Sequence, residues 1–178
     1  MPVYWGIAGY PISHSLTPRL FSLVGEYLGM TARTVYLEAR GIDEFASLVE
    51  DLEGEVWTSC TAPLKHSPQE RLGVNGPEGV NAINQLRRKD GVWSGTSTDG
   101  VGFVAACRHI GIEPKGCVLR IRGGGSAARA IAAAWSNEGG QIIAEEGRRP
   151  LVSGPWDSAI IDEGGAGVGI ELEAAQAR

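Results

Sequence analysis

Apolar and polar positions alternate in blocks along the first hundred residues. An apolar run from Val3 to Ala8 predicts a buried strand, and the periodic apolar positions between Leu20 and Leu28 predict a helix. The pattern repeats with a strand from Thr34 to Leu37, a helix whose N-cap candidate is Asp43, and a strand from Val56 to Thr61. Strands that alternate with helices favour an α/β fold built on a parallel sheet.

A β-hairpin and a helix are predicted next along the chain. The hairpin pairs Ala82 to Arg87 with Val92 to Gly95 across a tight turn, and the helix runs from Val101 to about Ile110. We place a domain boundary between the hairpin and the helix. The two expected domains are residues 1–100 and residues 101–178.

The second domain is predicted to open with one β-α-β unit. Its parts are a strand from Gly116 to Ile121, an Ala-rich helix from Ser126 to Ser136 and a strand from Gln141 to Ala144. Beyond the unit, the pattern predicts a short strand from Ala159 to Ile161 and a weak terminal helix from Glu171.

Composition and charge narrow the class of protein. Of the 178 residues 43% are hydrophobic and 21% are charged, as in ordinary globular domains. We expect a cytoplasmic protein without membrane contact, because no apolar stretch approaches a bilayer-spanning length and the start lacks a signal-peptide pattern. The net charge is −5 and no basic block is longer than Arg87-Arg88-Lys89, so nucleic acid is not an expected partner.

The three cysteines do not indicate a disulfide framework or a metal site. Cys60, Cys107 and Cys117 are odd in number, widely spaced and set among apolar residues. We expect buried thiols and no bound metal.

A glycine-rich loop joins the first strand and helix of the second domain. The spacing Gly123-x-Gly125-x-x-Ala128 lets backbone N–H groups approach a pyrophosphate at a helix N-terminus. We expect Gly123, Gly125, Ser126 and Ala127 to contact a dinucleotide. The alternative is a strand-to-helix turn that needs glycine only for its backbone conformation.

The charges after the next strand leave the choice of cofactor open. Glu145 and Glu146 stand where a carboxylate would accept hydrogen bonds from the ribose of NAD. Arg148 and Arg149 could instead bind the 2′-phosphate of NADP. A solvated turn of mixed charge is an equally good interpretation of these four residues.

Lys65 and Asp99 are candidate chemical groups with ordinary alternatives. Lys65 follows Pro63 just beyond the third strand, where open α/β sheets bind their ligands. Taken alone, it is more typical of a surface lysine. Asp99 precedes an apolar helix, where aspartate commonly serves as an N-cap.

The order of the polar clusters along the chain favours a chemical role for Lys65 and Asp99 over these ordinary alternatives. The clusters are Gly9-x-Pro11-Ile12 with His14-Ser15-Leu16-Thr17-Pro18, Thr61-Ala62-Pro63-Leu64-Lys65, Ala82-Ile83-Asn84, Ser97-Thr98-Asp99-Gly100-Val101-Gly102 and Gly123-Gly124-Gly125-Ser126-Ala127-Ala128-Arg129. As an ordered series they resemble the shikimate dehydrogenases. The resemblance implies an N-terminal α/β substrate-binding domain followed by a shortened Rossmann-like dinucleotide-binding domain.

The resemblance also implies roles for individual residues. Catalysis is assigned to Lys65 and Asp99, and substrate binding to Ser15, Thr17, Thr61 and Asn84. The implied reaction is the NAD(P)H-dependent reduction of 3-dehydroshikimate to shikimate, a step of chorismate and aromatic amino acid biosynthesis.

The chain departs from the family pattern at several places. Ser59 stands where an asparagine is usual, and Thr17 replaces a serine, as in relatives that also accept quinate. Glu145-Glu146-Gly147 replaces the family's signature for the NADP 2′-phosphate, so NAD and NADP both stay open.

Only 78 residues follow residue 100, about half of a typical ~150-residue dinucleotide-binding domain. A sheet so reduced leaves exposed edges and apolar surface, so we expect a homo-oligomer. Besides a dehydrogenase, the sequence is compatible with an NAD-dependent quinate/shikimate dehydrogenase or with a non-catalytic shikimate-binding module whose cofactor site has decayed.

Overall fold

The computed structural model describes residues 1–66, 68–162 and 169–173 of the chain. The chain forms two compact units. The first unit consists of Met1–Gly76 and Ile83–Thr96, and the second consists of Pro77–Ala82 and the residues from Ser97 onward.

The first unit is built on a five-stranded sheet. Its strands are β1 (Tyr4–Gly9), β2 (Arg33–Glu38), β3 (Val56–Cys60), β4 (Gln85–Lys89) and β5 (Val92–Thr96), in the spatial order β2-β1-β3-β4-β5. The first three strands are parallel to one another, and β4 and β5 form an antiparallel hairpin on β3. The α/β class with parallel strands is therefore confirmed.

Three helices belong to this unit: α1 (Thr17–Leu28), α2 (Ile42–Glu50) and α3 (Pro68–Leu72). The prediction of Asp43 as an N-cap is wrong, because Gly41 is the cap and Asp43 lies in the first turn. A carboxylate there still stabilises the helix through its dipole. The sequence pattern did not predict α3, which is too short to display a helical period.

The core of the first unit lies between α2 and the sheet. It is formed by buried residues that include Ala8 of β1, Leu37 of β2, Phe45 of α2 and Cys60 of β3. The ring of Phe45 also lies 5.7 Å, centroid to centroid, from the ring of Trp93 on β5. This packing fixes the carboxyl ends of β1 and β3, from which the candidate substrate loops extend.

The second unit has a parallel three-stranded sheet and two long helices. The elements are α4 (Asp99–His109), β6 (Val118–Arg122), α5 (Ser126–Asn137), β7 (Gln141–Glu145) and β8 (Gly169–Glu173), with strand order β7-β6-β8. Its core surrounds the fully buried Trp135, whose indole N–H donates to the Gln141 carbonyl oxygen at 3.1 Å.

Two predictions for the last part of the chain are wrong. Only Ile160 of the expected strand at Ala159 to Ile161 pairs, in a single bridge to Ile142, because a 3-10 turn occupies Asp157–Ala159. The expected helix from Glu171 begins instead as strand β8. The alternation of Ile170 and Leu172 with glutamates has the period of a strand, and pairing with β6 satisfies its backbone. The rest of that predicted helix lies outside the described residues.

Two further observations apply to the described ranges only. No helix within them combines the length and the apolar character that crossing a bilayer requires. No group of three or more histidine, cysteine or acidic side chains in these ranges is arranged to hold a metal ion. The three cysteines are free thiols; Cys60 and Cys107 are buried, and Cys117 is partly exposed.

Candidate functional site

The loops after β1 and β3 pack against each other at the carboxyl end of the sheet. Gly9 ends β1 with φ of 138°, and a methyl group there would lie 2.5 Å from Cγ2 of Thr61. The Tyr10 N–H donates to the Ala62 carbonyl oxygen at 2.9 Å, and the Thr61 N–H donates to that of Ala8 at 2.9 Å. Glycine is therefore required at position 9 both for its conformation and for the close approach of the two loops.

The two hydroxyl residues of the first loop form a local turn. The Ser15 N–H donates to the Ile12 carbonyl oxygen at 3.0 Å, and the Ser15 Oγ accepts a hydrogen bond from the Thr17 N–H at 3.2 Å. Both side chains are half-buried. The turn orders the backbone of Ser15 and Thr17 at the entrance to α1.

Lys65 lies on a 3-10 turn, Leu64–His66, directly after β3. The fully buried Leu64 anchors this turn, and the Leu64 N–H donates to the Thr61 carbonyl oxygen at 2.9 Å. The Lys65 carbonyl oxygen accepts from the Ile83 N–H at 3.0 Å. The Lys65 side chain is half-buried on a backbone that is fixed at both ends.

The thiol of Cys60 lies within the electrostatic range of Lys65. Burial raises the pKa of Cys60 to about 12, and the positive charge of Lys65 opposes this rise. The positive charge of Lys65 thus acts on a thiol of β3.

Asn84 joins the same part of the first unit through its backbone. Its carbonyl oxygen accepts from the Cys60 N–H at 2.7 Å, and its N–H donates to the Thr96 carbonyl oxygen at 3.0 Å. The residue is only 6% exposed. The structure thus brings Thr61, Lys65 and Asn84 into one backbone network at the end of β3.

Asp99 lies in the second unit, where it is the first residue of α4. The interpretation of Asp99 as an N-cap is wrong, because Thr98 occupies the cap position and no side-chain hydrogen bond caps the helix. The Asp99 side chain is half-buried. Because Lys65 belongs to the first unit, the pairing of Lys65 with Asp99 stays a prediction.

The glycine loop of the second unit has the geometry of an anion site. Gly123 has φ of 83°, and its N–H donates to the Glu145 carbonyl oxygen at 3.1 Å. Gly125 is the N-cap of α5, and a methyl group there would meet no atom within 4 Å. This open side is where a phosphate could approach the first N–H groups of α5, which include those of Ser126 and Ala127. The start of α5 at Gly125 therefore fits a phosphate group.

A segment after β7 crosses the glycine loop. The Gly124 N–H donates to the Arg149 carbonyl oxygen at 2.7 Å, and a methyl group on Gly124 would lie 1.9 Å from the Pro150 carbonyl oxygen. This contact was not predicted from the sequence. The only feature of the sequence that pointed to it is the third glycine, Gly124, because the dinucleotide-binding motif requires only Gly123 and Gly125 here.

The acidic residue expected to bind the ribose is paired within the sheet. Glu145 Oε1 lies 3.1 Å from Nη1 of Arg120 on the neighbouring strand β6. The side chains of Glu146 and Arg148 are exposed. The carboxylate of Glu145 is thus partly neutralised, whereas Arg148 presents its charge to solvent near the glycine loop.

Arg129 has a role that the sequence did not indicate. From α5, its Nε donates to the Val80 carbonyl oxygen at 2.8 Å, its Nη2 to that of Asn81 at 2.7 Å and its Nη1 to that of Gly124 at 3.1 Å. Burial lowers the pKa of Arg129, and the positive charge of nearby Arg149 lowers it further. One guanidinium therefore ties the segment Pro77–Ala82 to the glycine loop and adds positive potential there.

Comparison with known proteins identifies relatives. No protein-family model matches the chain. A shikimate dehydrogenase (NADP(+)) from Xanthomonas campestris is 33% identical over 151 residues, which cover 78% of this chain and 51% of that protein.

Two similar solved structures contain ligands. The crystal structure of shikimate 5-dehydrogenase from Thermus thermophilus in complex with NADP(H) and shikimate has a TM-score of 0.68 at 27% identity and covers 79% of this chain and 54% of that one. The enzyme from Listeria monocytogenes in complex with shikimate and NAD has the same TM-score and identity, with coverages of 83% and 52%. The chain spans about half the length of the proteins that it matches. The resemblance detected in the sequence is confirmed.

Proposed function

We propose that this chain, a homologue of the shikimate dehydrogenases, binds shikimate or 3-dehydroshikimate in its first unit and a nicotinamide dinucleotide in its second, and interconverts the two compounds. The observation that carries the proposal is the backbone network that joins Thr61, Lys65 and Asn84 at the carboxyl end of β3. That end of an open α/β sheet is the usual place for a ligand.

The polar groups of the first unit suit a hydroxylated carboxylic acid. The hydroxyls of Ser15 and Thr17 would donate hydrogen bonds to the substrate carboxylate. Thr61 and Asn84 would bind the ring hydroxyls, since a hydroxyl and an amide can both donate and accept. Each of these residues lies on a backbone that is already ordered by hydrogen bonds, so little freedom is lost on binding.

Lys65 is proposed as the acid that completes reduction of the ketone. When bound, a reduced nicotinamide would supply a hydride for the carbonyl carbon. As the carbonyl bond opens, the Lys65 ammonium donates its proton to the oxygen, so that the ketone becomes a hydroxyl and Lys65 becomes neutral. Asp99 would hydrogen-bond the adjacent hydroxyl and orient Lys65. In the reverse direction, neutral Lys65 takes the hydroxyl proton.

NADP is the cofactor that we propose, with NAD as the alternative. Gly125, Ser126 and Ala127 would hold the pyrophosphate at the N-terminus of α5, and Gly123 would form the tight turn that leads to it. Because Glu145 forms an ion pair with Arg120, its carboxylate is less available to accept hydrogen bonds from the ribose of NAD. The exposed Arg148 suits a 2′-phosphate.

Ligand titration followed by turnover tests the proposal. Calorimetry with shikimate, NADPH and NADH separately, and then with shikimate in the presence of each oxidised cofactor, measures the two half-sites independently. Absorbance of the reduced cofactor during incubation with 3-dehydroshikimate measures the reaction. We expect binding of shikimate, tighter binding of NADPH than of NADH, and turnover. Binding of shikimate without binding of either cofactor would contradict the proposed dehydrogenase activity. It would support the alternative of a non-catalytic shikimate-binding module.

A further inference from the structure

A cavity of about 380 Å³ lies in the second unit beside the later turns of α5. All the residues that line it belong to the second unit, and α5 contributes residues between Ala130 and Asn137. The glycine loop lies at the other end of this helix. At 1.5 Å per residue, Asn137 is about 16 Å along the helix axis from Ser126. The cavity is therefore separate from the N–H groups that we assign to the pyrophosphate.

Most of the cavity wall is apolar. Helices α4 and α5 approach each other closely there, because a methyl group on Gly100 would lie 2.0 Å from the Ala130 carbonyl oxygen. Alanine side chains are short, so they leave the space beside this contact open. The apolar side chains that line this space come from α4, α5 and two neighbouring segments and include Val80, Val101, Ala133, Ala134 and Pro155. A wall of this composition is typical of sites that bind an apolar group.

The size of the cavity suits one ring with a short side chain. An apolar protein cavity of about 150 Å³ binds a benzene molecule. The cavity of the second unit, at about 380 Å³, is larger and lies within the range of roughly 300–1,000 Å³ that is usual for small-molecule sites. It can therefore hold a benzene-sized ring together with a chain of a few atoms.

Glu78 is the only charged residue among those that line the cavity. Its side chain is exposed, and within the part of the chain that the structure describes it forms no ion pair. The chain as a whole carries a net charge of −5. A positively charged group on a ligand would therefore be attracted to this end of the cavity, whereas a carboxylate would be repelled.

A buried hydroxyl is the second polar feature of the cavity. Ser97 lines it, and the Ser97 Oγ is buried without a hydrogen-bond partner among the described residues. A buried hydroxyl that forms no hydrogen bond destabilises the protein, so native structures contain few of them. An N–H group of a ligand would provide the partner that this oxygen lacks.

We propose that this cavity binds a small molecule in which an apolar ring is joined to an ammonium group. The ring contacts the apolar wall between α4 and α5, and the ammonium group pairs with Glu78. Ser97 accepts a hydrogen bond from an N–H of the ligand. The site does not depend on the proposed dehydrogenase reaction, because none of the residues that line it is assigned to substrate or cofactor.

An NMR titration of the intact, isotope-labelled chain with 2-phenylethylammonium tests the site. We expect a dissociation constant on the order of 1 mM, as for other ligands of this size, and shifts in the amide signals of Ala130, Ala133 and Asn137. Neutral 2-phenylethanol and anionic phenylacetate are similar in size and control for charge. The ammonium ligand should bind about threefold to fivefold more tightly than the alcohol, and phenylacetate should bind more weakly than both.

Charge substitutions test the role of Glu78. Glu78→Gln should abolish the preference for the ammonium ligand over the alcohol, and Glu78→Lys should favour phenylacetate instead. Both variants change an exposed residue, so circular dichroism should show unchanged folding. The matched control is Glu50→Gln, which removes one exposed carboxylate from the first unit and should leave all three affinities unchanged.

Two further substitutions test the wall of the cavity. Ser97→Ala removes the hydroxyl that lacks a partner, so it should raise the midpoint of thermal unfolding of the free chain. The same variant should bind 2-phenylethylammonium about threefold more weakly. Ala133→Leu fills part of the cavity and should weaken binding of all three ligands at least about tenfold. Thermal unfolding shows that each variant is folded before it is titrated.

Several results would overturn the proposal. Unchanged amide signals of α5 at about 10 mM ligand contradict binding in the cavity, and shifts confined to the first unit place the ligand elsewhere. Equal affinities of the wild type for the ammonium ligand and the alcohol contradict the pairing with Glu78, as does a charge preference that persists in Glu78→Gln. Unweakened binding to a folded Ala133→Leu variant excludes this cavity as the site.

Discussion

Gly25 of α1 rests directly on the indole ring of Trp5, at a distance where only a hydrogen atom fits between them. Gly25→Ala would place its methyl group 2.1 Å from Cη2 of Trp5. We expect the free energy of unfolding to fall by about 1–3 kcal/mol, because overpacking outweighs the ~1 kcal/mol that alanine gains over glycine in a helix. Urea denaturation measures the change.

Two further variants separate the steric effect from helix propensity. Gly102→Ala in α4 meets no atom within 4 Å, so it should stabilise the protein. Trp5→Phe removes the contacting Cη2 atom, so adding Gly25→Ala to that variant should cost less than in the wild type. Equal costs in both backgrounds would show that Trp5 is not the obstacle.

Arg129→Ala is expected to lower the free energy of unfolding by roughly 2 kcal/mol. The substitution leaves the carbonyl oxygens of Val80, Asn81 and Gly124 without this charged donor. Arg129→Lys should recover only part of the loss, since an ammonium lacks the planar fork that reaches three acceptors. The exposed Arg148→Ala is the control and should change the stability by less than about 0.5 kcal/mol.

Lys65→Ala is expected to lower kcat for 3-dehydroshikimate reduction at least about a hundredfold, because the proton donor is lost. Binding of NADPH should be unaffected, since Lys65 is assigned to the substrate. Steady-state kinetics and a cofactor titration measure the two effects. Lys89→Ala, at the exposed end of β4, should have wild-type kcat. Loss of activity in both lysine variants would count against a specific role for Lys65.

Thiol labelling should distinguish the three cysteines. Burial raises the pKa of Cys60 to about 12 and also raises that of Cys107, so both stay protonated in the folded chain at pH ~8. We expect Ellman's reagent to modify only the partly exposed Cys117 rapidly, and all three thiols in denaturant. Rapid labelling of the folded Cys117→Ser variant would contradict the assignment.

The same pKa shift predicts a change of stability with pH. Above about pH 8.5 the unfolded chain releases the Cys60 proton that the folded chain retains. The contribution of Cys60 to stability is therefore full below that pH and declines as the pH rises toward 12. Cys60→Ala should show a weaker loss of stability than the wild type between about pH 8.5 and 10.5. Parallel denaturation curves across this range provide the comparison.

Arg148→Ala is expected to weaken NADPH binding about tenfold and to leave NADH binding unchanged, because only NADPH carries the 2′-phosphate. Calorimetric titration with both cofactors gives the ratio. High salt should reduce the difference between the variant and the wild type, since an exposed ion pair is screened. An equal loss for NADH would place Arg148 at the pyrophosphate instead.

Much of the fold follows from local patterns. The predicted bounds of β1, β2 and β3 agree with the structure to within one residue at each end. The clearest of them is β1, because a buried parallel strand is a continuous apolar run. The prediction of Asp43 as the N-cap failed because the N-cap of α2 is Gly41, two residues earlier. The helix expected from Glu171 failed because a neighbouring strand, β6, provides backbone partners that local propensity does not take into account.

The candidate site follows a similar division. The order of the polar clusters indicated Ser15, Thr61, Lys65 and Asn84 as site residues, because residue type and spacing can be read directly from the sequence. The three carbonyl contacts of Arg129 were not predictable, because they join α5 to a segment 48 and 49 positions away.

The sequence by itself determined the succession of strands and helices, the glycine loop and the set of hydroxyl, amide and charged groups available for chemistry, because each depends on residues close together in the chain. Only the tertiary structure decided the strand order β2-β1-β3-β4-β5, the pairing of Glu145 with Arg120 and the outward direction of the large apolar side chains of α1. Those features depend on which distant surfaces meet. Helical periodicity shows that α1 has an apolar face, but the contact of Gly25 with Trp5 decides that another face is the buried one.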